Sequence, residues 1–369
     1  MKRNKKKVFV GMSGGVDSSV AAALLIKRGF DVVGVHLKCY NVDGCAEQDA
    51  EDARRAAETL DIPFYVFDME QEYKDKVVEY MVDGYKKGIT PNPDVMCNKE
   101  IKFGLFLKKA LELGAEYVAT GHYVRLKKVG KSYKLFVAKD KNKDQSYFLW
   151  TLTQDQLKHA LFPVGDFVKP EIRKLAKKLK LPNAEKKDSQ GICFLGQVSL
   201  KDFLGNYIPE KKGIVVNTSG KVIGEHKGAY FYTIGQRSGL GIGGNAKPLY
   251  VAEKDIKENA LLVAEEGDPV LSKKEVSLGG MNFINKHHST IRANGRMPVM
   301  VRVRYRQPLF KATLVQISWP GRQKSKVPGR AGESLKFNSE DIKYAIRLAS
   351  ANATAGIEKI GATEGLLAK

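Results

Sequence analysis

The chain has 369 residues, with 62 Lys and Arg against 41 Asp and Glu, a formal charge of +21, 43% hydrophobic and 28% charged residues. At roughly 150 residues per domain, this length predicts two or three cores, and the composition excludes a disordered or collagen-like chain. No apolar run reaches the roughly 18–20 residues of a membrane helix, and the run Val8–Met12 is too short for a secretory leader, so a cytoplasmic protein without a membrane partner is expected.

The elements follow in chain order. A strand at Val8–Met12 runs into a glycine turn, and Ser18–Arg28 reads as a helix closed by Gly29. Strands at Asp31–His36, Pro63–Phe67 and Tyr117–Thr120 alternate with helices at Glu47–Leu60, Val77–Lys86 and Ile101–Leu113. That rhythm predicts right-handed crossovers and a parallel sheet covered on both faces. A further helix opens at Pro170, in a favoured first-turn position. Near residue 205 the helices thin out, and glycine-rich turns and short strands take over. Clear strand signals lie in 299–307 (VMVRVRYRQ) and 311–318 (KATLVQIS). The predicted organisation is an α/β domain over 1–205, a small β-rich domain over 206–274 and a β-rich domain over 275–369.

Two readings fit the charge. A polyanionic partner, nucleic acid above all, gains from counterion release when Lys and Arg neutralise phosphates. The alternative is a merely basic, solvated surface. The size of the surplus favours the first. Cys39, Cys45, Cys97 and Cys193 are too few for a disulfide scaffold, and none forms a C-x-x-C pair, which excludes a zinc ribbon. In a reducing compartment, a bond between two of them is expected to be transient and catalytic.

The most informative string is Ser13–Ser19, SGGVDSS, between strand and helix. Two glycines allow a tight backbone turn, three serines supply hydroxyls, and the helix N-terminus adds unpaired N–H groups and a positive dipole end. Such an anion cradle suits the carboxyl end of a parallel strand. It lacks the GK[ST] ending of a Walker loop and the G-x-G-x-x-G of a dinucleotide site. Asp17 within it suits a magnesium ion on the phosphates. The plain alternative is a serine cap on a glycine turn. SGGVDSS as a whole resembles the PP-loop ATP pyrophosphatases, which implies cleavage of ATP to AMP and pyrophosphate, with adenylate passed to an acceptor oxygen.

Further strings resemble one branch of that superfamily, the tRNA-specific 2-thiouridylases: 90–97 (TPNPDVMC) with 98–103 (NKEIKF), 119–123 (ATGHY), 143–149 (KDQSYFL), 188–194 (DSQGICF), 232–244 (YTIGQRSGLGIGG) and 304–307 (RYRQ). They spread over roughly residues 6–315. The resemblance implies a PP-loop catalytic domain, a small β-rich central domain and a β-barrel-like, RNA-contacting domain. It implies ATP-dependent sulfur insertion at C2 of the wobble uridine, position 34, of tRNA, with the tRNAs for Lys, Glu and Gln as substrates. It also implies a persulfide sulfur donor such as a cysteine desulfurase or sulfur relay protein. By motif, ATP falls on Gly11, Met12, Ser13, Gly14, Gly15, Val16, Asp17, Ser18, Leu37 and Gly121. RNA falls on Asn92, Pro93, Asp94, Lys143, Asp144, Gln145, Arg304 and Tyr305. Cys193 would carry the persulfide, Cys97 would attack, and a transient Cys97–Cys193 disulfide would free the sulfur. Nothing in the resemblance assigns a role to Cys39 or Cys45.

The chemistry has its own logic. A carbonyl oxygen is a poor leaving group, adenylation makes it a good one, and two thiols then suffice to deliver sulfur and resolve the carrier. Asp94, three residues before Cys97, is a candidate general acid or base, or a helix cap. Asp94, Cys97 and Cys193 could alternatively hold an iron–sulfur cluster. Asp144 could instead cap the helical start at SYFL, and His122 suits a ligand contact or the core equally. Arg302, Arg304 and Arg306 would share one face of an extended strand. In the tail the family's final glycine-rich strand is missing, and 341–360 reads as an alanine-rich helix. Two rival functions use the same loop. One is adenylation followed by amine attack, which needs no cysteine pair. The other is a non-catalytic RNA-binding protein with a vestigial nucleotide fold.

Overall fold

The computed structural model describes residues 5–316 and the strands Glu333–Phe337 and Gly356–Lys359, leaving out 41, 43, 189–194, 197, 243–246, 273–274, 279–281 and 285–295. The chain divides into two compact units. One comprises Met1–Tyr80 and Pro93–Leu200, the other Met81–Asn92 and Lys201–Lys369.

The first unit is built on a five-stranded sheet: β1 (Lys7–Gly11), β2 (Asp31–Lys38), β3 (Phe64–Asp68), β4 (Tyr117–Ala119) and, after an antiparallel hairpin of β5 (Arg125–Val129) and β6 (Ser132–Phe136), β7 (Ala160–Leu161). Its order is β3-β2-β1-β4-β7 and every pairing is parallel. Val8 and Val10 of β1 and Val35 of β2 are fully buried, as strands covered on both faces require. Each such side chain contributes about 1.5–3 kcal/mol of burial. Helix α1 (Val16–Lys27) turns Ala22 and Leu25 toward the core shared with Val8 and Val10. Helix α2 (Cys45–Thr59) lays the buried alanines Ala53, Ala56 and Ala57 on the same core. The helix Lys169–Lys178, with Pro170 in its first turn as predicted, packs Ile172 and Ala176 against Val16, Val20 and Tyr123. Strand order reverses at β1: β2 and β3 lie on one side of it, β4 and β7 on the other. The carboxyl ends of β1 and β4 therefore flank the switch point of the sheet, where open α/β sheets bind ligands.

Two helices depart from α geometry. The stretch expected as Val77–Lys86 begins earlier and includes a π-helical turn at Lys74–Val78. The stretch expected from Ile101 is preceded by a short α-helix, Pro93–Met96, and a ten-residue π-helix, Cys97–Phe106, before Leu107–Glu112.

In the second unit, β8 (Gly213–Val216), β9 (Val222–His226), β10 (Leu249–Asp255) and β11 (Ala260–Glu265) form a sheet of order β10-β11-β8-β9. A separate antiparallel sheet has the order β12-β15-β14-β13-β16, from β12 (Glu275–Leu278), β13 (Arg296–Arg302), β14 (Phe310–Gln316), β15 (Glu333–Phe337) and β16 (Gly356–Lys359). Two expectations fail here. Residues 356–359 are a strand paired with β13, Arg302 opposite Gly356, not the end of a helix, because β13 offers them an edge to pair with; residues 341–355 lie outside the described residues. The predicted strand through 307 stops at Arg302. Arg304–Gln307 form a turn, with the Gln307 N–H donating to Arg304 O at 3.1 Å and Arg306 at φ 64. Arg302, Arg304 and Arg306 are therefore not one strand face. Among the described residues, no helix is long and apolar enough to cross a membrane.

Candidate functional site

The loop between β1 and α1 is held from several sides. Met12 N–H donates to Val35 O at 2.7 Å, and Met12 O meets His36 Nδ1 at 3.0 Å, which seats the loop on the end of β2. Burial lowers the His36 imidazole below its ordinary value, so it sits there neutral. Gly14 is left-handed at φ +76, and a Cβ there would stand 2.4 Å from Asp49 O, so both conformation and space demand glycine. Ser18 Oγ and Ser19 Oγ donate to Gly15 O at 3.0 and 3.2 Å, and Ser13 N–H donates to Ser18 Oγ at 3.2 Å. Gly15, the residue before α1, receives no side-chain cap. The first-turn amides of this twelve-residue helix are thus left without a side-chain acceptor, which is the arrangement a phosphate group completes. Val16 and Ser18 are buried beneath it.

On the other side of the crevice, Gly121 follows β4. A Cβ on it would lie 2.7 Å from Ser18 N and 2.9 Å from Asp17 C. Gly121→Ala should therefore push the start of α1 out of place. ATP-dependent AMP formation is expected to fall about a hundredfold, the usual cost of an ångström-scale misplacement, with the circular dichroism unchanged. Full activity in that variant would show that the loop tolerates the shift. Leu37 lies at the end of β2, opposite Phe67 of β3.

Asp17 is held by side chains from outside the loop. Lys169 Nζ binds its Oδ1 and Oδ2 at 2.7 and 2.8 Å, and Tyr123 OH donates to Oδ1 at 2.8 Å. Lys169 is only 9% exposed, and its ammonium also contacts Asp188 Oδ1 at 2.8 Å. Asp188 in turn accepts from Lys143 Nζ at 2.5 Å and Arg173 Nη2 at 2.8 Å. Burial works to raise the Asp188 carboxyl, but the hydrogen bonds from Lys143 and Lys169 outweigh it and hold the group down at about 2. Burial, then the Asp17 charge, keeps Tyr123 a phenol far above its ordinary range. Asn183, also buried, donates to Gly14 O and Ser19 Oγ at 2.9 Å each, and Lys186 Nζ bridges Asp49 and Asp52 of α2 at 2.6 and 2.5 Å. One ionic assembly thus ties the phosphate loop to Lys143 and to Asp188, the residue that opens the string containing Cys193. Residues 189–194, Cys193 included, lie outside the described residues.

Asp17 is the residue expected to suit a magnesium ion on bound phosphates. Both of its oxygens are taken by Lys169, and no group of three His, Cys, Asp or Glu side chains among the described residues could hold a metal. The loop's residues fit a nucleotide's phosphates.

The Lys143–Gln145 string is built inward. Asp144 is 2% exposed; it accepts from Ala138 N at 3.0 Å and Ser146 Oγ at 2.8 Å, so its carboxylate braces the turn at SYF, although the cap position of that turn is Gln145 and has no side-chain cap. Gln145 Oε1 accepts from Tyr123 N at 3.0 Å. His122 is buried between Phe103 and Phe162 and meets Thr120 Oγ1 at 2.8 Å. Burial holds it well below its ordinary value, a core histidine.

Asn92 is half-buried and Pro93 buried; the chain passes from the second unit into the first between them. Asp94 sits in the first turn of Pro93–Met96, half-buried. Cys97, a thiol 6% exposed, begins the π-helix. Gly104 permits that wide helix, since a Cβ on it would stand 2.8 Å from Lys99 O. π-Helical turns are rare and frequent at functional sites. The neighbouring Asn98, 2% exposed, donates to Phe148 O at 3.3 Å and so links the Cys97 helix to the KDQSYFL string. Cys39 is half-buried beyond β2, and Cys45 begins α2. In the second unit, Arg304 Nη2 donates to Ile234 O at 2.8 Å, and the Arg306 guanidinium lies 5.2 Å from the Tyr305 ring centre.

A parallel sheet with an anion-binding glycine–serine loop at its switch point defines the first unit as a PP-loop ATP pyrophosphatase fold. Residues 6–197 match the family described as the tRNA methyl transferase HUP domain, and residues 201–265 match the tRNA methyl transferase PRC-barrel domain. The tRNA-specific 2-thiouridylase MnmA of Bacillus pumilus is 45% identical over 349 residues, 91% of this chain and 92% of the relative. The tRNA-specific 2-thiouridylase MnmA 1 of Geobacillus kaustophilus is 50% identical over 289 residues, 76% of this chain and 78% of the relative. A 4-thiouridine synthetase solved with RNA and ATP aligns at 17% identity, over 55% of this chain and 50% of that one, with a TM-score of 0.34, too loose to bear on the comparison. The chain belongs to the tRNA-specific 2-thiouridylase family.

Proposed function

We propose that this chain is a tRNA-uridine 2-sulfurtransferase that adenylates the C2 oxygen of uridine 34 and then replaces it with sulfur. The observation that carries the reading is the uncapped start of α1 behind a loop that only glycine can form at Gly14, in a chain of thiouridylase sequence. Gly11–Ser18 hold the phosphates of ATP, Leu37 and Gly121 border its nucleoside, and the uridine O2 attacks the α-phosphorus, expelling pyrophosphate. The terminal sulfur of a Cys193 persulfide bonds to C2 as AMP leaves with the former oxygen. The Cys97 thiolate then attacks the Cys193 sulfur, forming a Cys97–Cys193 disulfide and freeing the thiocarbonyl; a reductant supplies two electrons to restore both thiols. Asp94 acts as the proton carrier at the base. Asn92, Pro93, Lys143, Asp144, Gln145, Arg304 and Tyr305 form or brace the RNA contacts. The tRNAs for Lys, Glu and Gln are the expected substrates, and a cysteine desulfurase or relay protein the sulfur source.

The test is incubation with ATP, magnesium, a persulfide source and unmodified tRNA, followed by nucleoside mass spectrometry. 2-Thiouridine dependent on ATP is the expected product. Its absence, with AMP formed and an amine adduct on the base, would overturn the sulfur step; no AMP with any tRNA would overturn the enzyme.

A further inference from the structure

The antiparallel hairpin of β5 and β6 belongs to no motif discussed above. Between residues 125 and 136 it carries Arg125, Lys127, Lys128, Lys131 and Lys134 and no acidic residue. Lys127, Lys128 and Lys131 are exposed and Lys134 half-buried, and none of the four lysines makes an ion pair among the described residues. The pairing register sets Lys127 directly opposite Lys134. Like charges facing across a strand pair destabilise the hairpin, yet no carboxylate among the described residues relieves them.

The hairpin is nevertheless held firmly. The Gln154 side chain clasps the backbone of Tyr133 from both ends, accepting from its N–H at 2.7 Å and donating to its carbonyl at 2.8 Å. At its root, Tyr123 bonds Gln145 through its backbone, at 2.8 Å, and Asp17 of the phosphate loop through its hydroxyl. The Phe136 and Tyr133 rings lie beneath Lys127 and Lys128, at 5.8 and 6.0 Å from ring centre to ammonium. A rigid arm with unneutralised charge, rooted at the nucleotide loop, calls for an anion from outside the chain.

We infer that the β5–β6 hairpin is a docking arm for the sugar-phosphate backbone of the tRNA substrate, with Lys127, Lys128, Lys131 and Lys134 on phosphates. This rests on the tRNA reading above. A densely charged strand of phosphates relieves the Lys127–Lys134 repulsion, and the contacts are independent of base sequence.

The experiment uses the full chain and unmodified tRNA, with binding measured across a salt series. Replacing all four lysines with glutamine should flatten the slope of log K against log salt by about three units, at about 0.7–0.9 per phosphate contact, and weaken binding more than about tenfold at physiological salt. Lys134→Glu alone separates function from folding. It places opposite charges across the pair, so the melting temperature should hold or rise while tRNA affinity falls several-fold. A four-lysine variant with wild-type slope and affinity overturns the arm, including the case in which only sulfur delivery from a donor protein suffers. So does a Lys134→Glu chain that loses stability and affinity together. Wild-type chain that neither binds nor thiolates tRNA would overturn the proposed function as well.

Discussion

Lys169→Met is expected to abolish ATP-dependent AMP formation and to lower the stability of the first unit by about 1–3 kcal/mol, since it strips one partner from an ion pair that is only partly buried. The loss is unequal between the two carboxylates. Asp188 keeps Lys143 and Arg173, whereas among the described residues Asp17 keeps only the Tyr123 hydroxyl. Asp17 sits in the first turn of α1, so its unneutralised charge stands where phosphates are to bind. A thermal melt and an AMP assay read the two effects. Lys169→Met combined with Asp17→Asn should recover much of the melting temperature, because removing both charges of a pair is close to neutral. A single variant with wild-type melting and AMP formation would show that the lysine does not hold the loop.

Cys97→Ser is expected to cut 2-thiouridine formation by at least about a thousandfold, the scale for loss of a nucleophile, while AMP still forms and Cys193 still accepts sulfur. The serine hydroxyl is not ionised at neutral pH and cannot displace sulfur from the carrier. Cys193→Ser should lose the protein-bound persulfide altogether. Mass spectrometry of intact protein after loading decides the assignment: persulfide on Cys97 in the Cys193→Ser chain would reverse the two roles. An iron–sulfur absorbance required for activity would replace the disulfide route.

The parallel sheet and the phosphate loop were legible because their causes are local. Val8 and Val10, Gly14 and the serines after it are contiguous in sequence, and each acts through its own backbone or its neighbour's. The ion network was not legible. Lys169 meets Asp17 across 152 residues of chain, and nothing in KPEIRKLAKK marks its first lysine as the buried one. Asn183 and Tyr123 were missed for the same reason. The π-helix at Cys97 shares its apolar pattern with an α-helix; Gly104 is its one local sign. The hairpin hid behind its lysines, which are poor strand formers, and the arginine alternation misled because the chain turns left-handed at Arg306.

The excursion of Met81–Asn92 into the second unit has a bearing on biosynthesis. These residues rest on partners made much later: Thr90 Oγ1 meets Thr233 Oγ1 at 3.1 Å, and a side chain on Gly88 would strike Ile256 at 2.5 Å. At about 5–20 residues per second, the ribosome takes about 10–30 seconds to reach those partners after the excursion emerges. The peptide leading into Cys97 therefore gains its anchor only after the whole first unit has been made. A fragment cut after Leu200 would keep the excursion and lack both Thr233 and Ile256, so the nucleotide unit is not an excisable module.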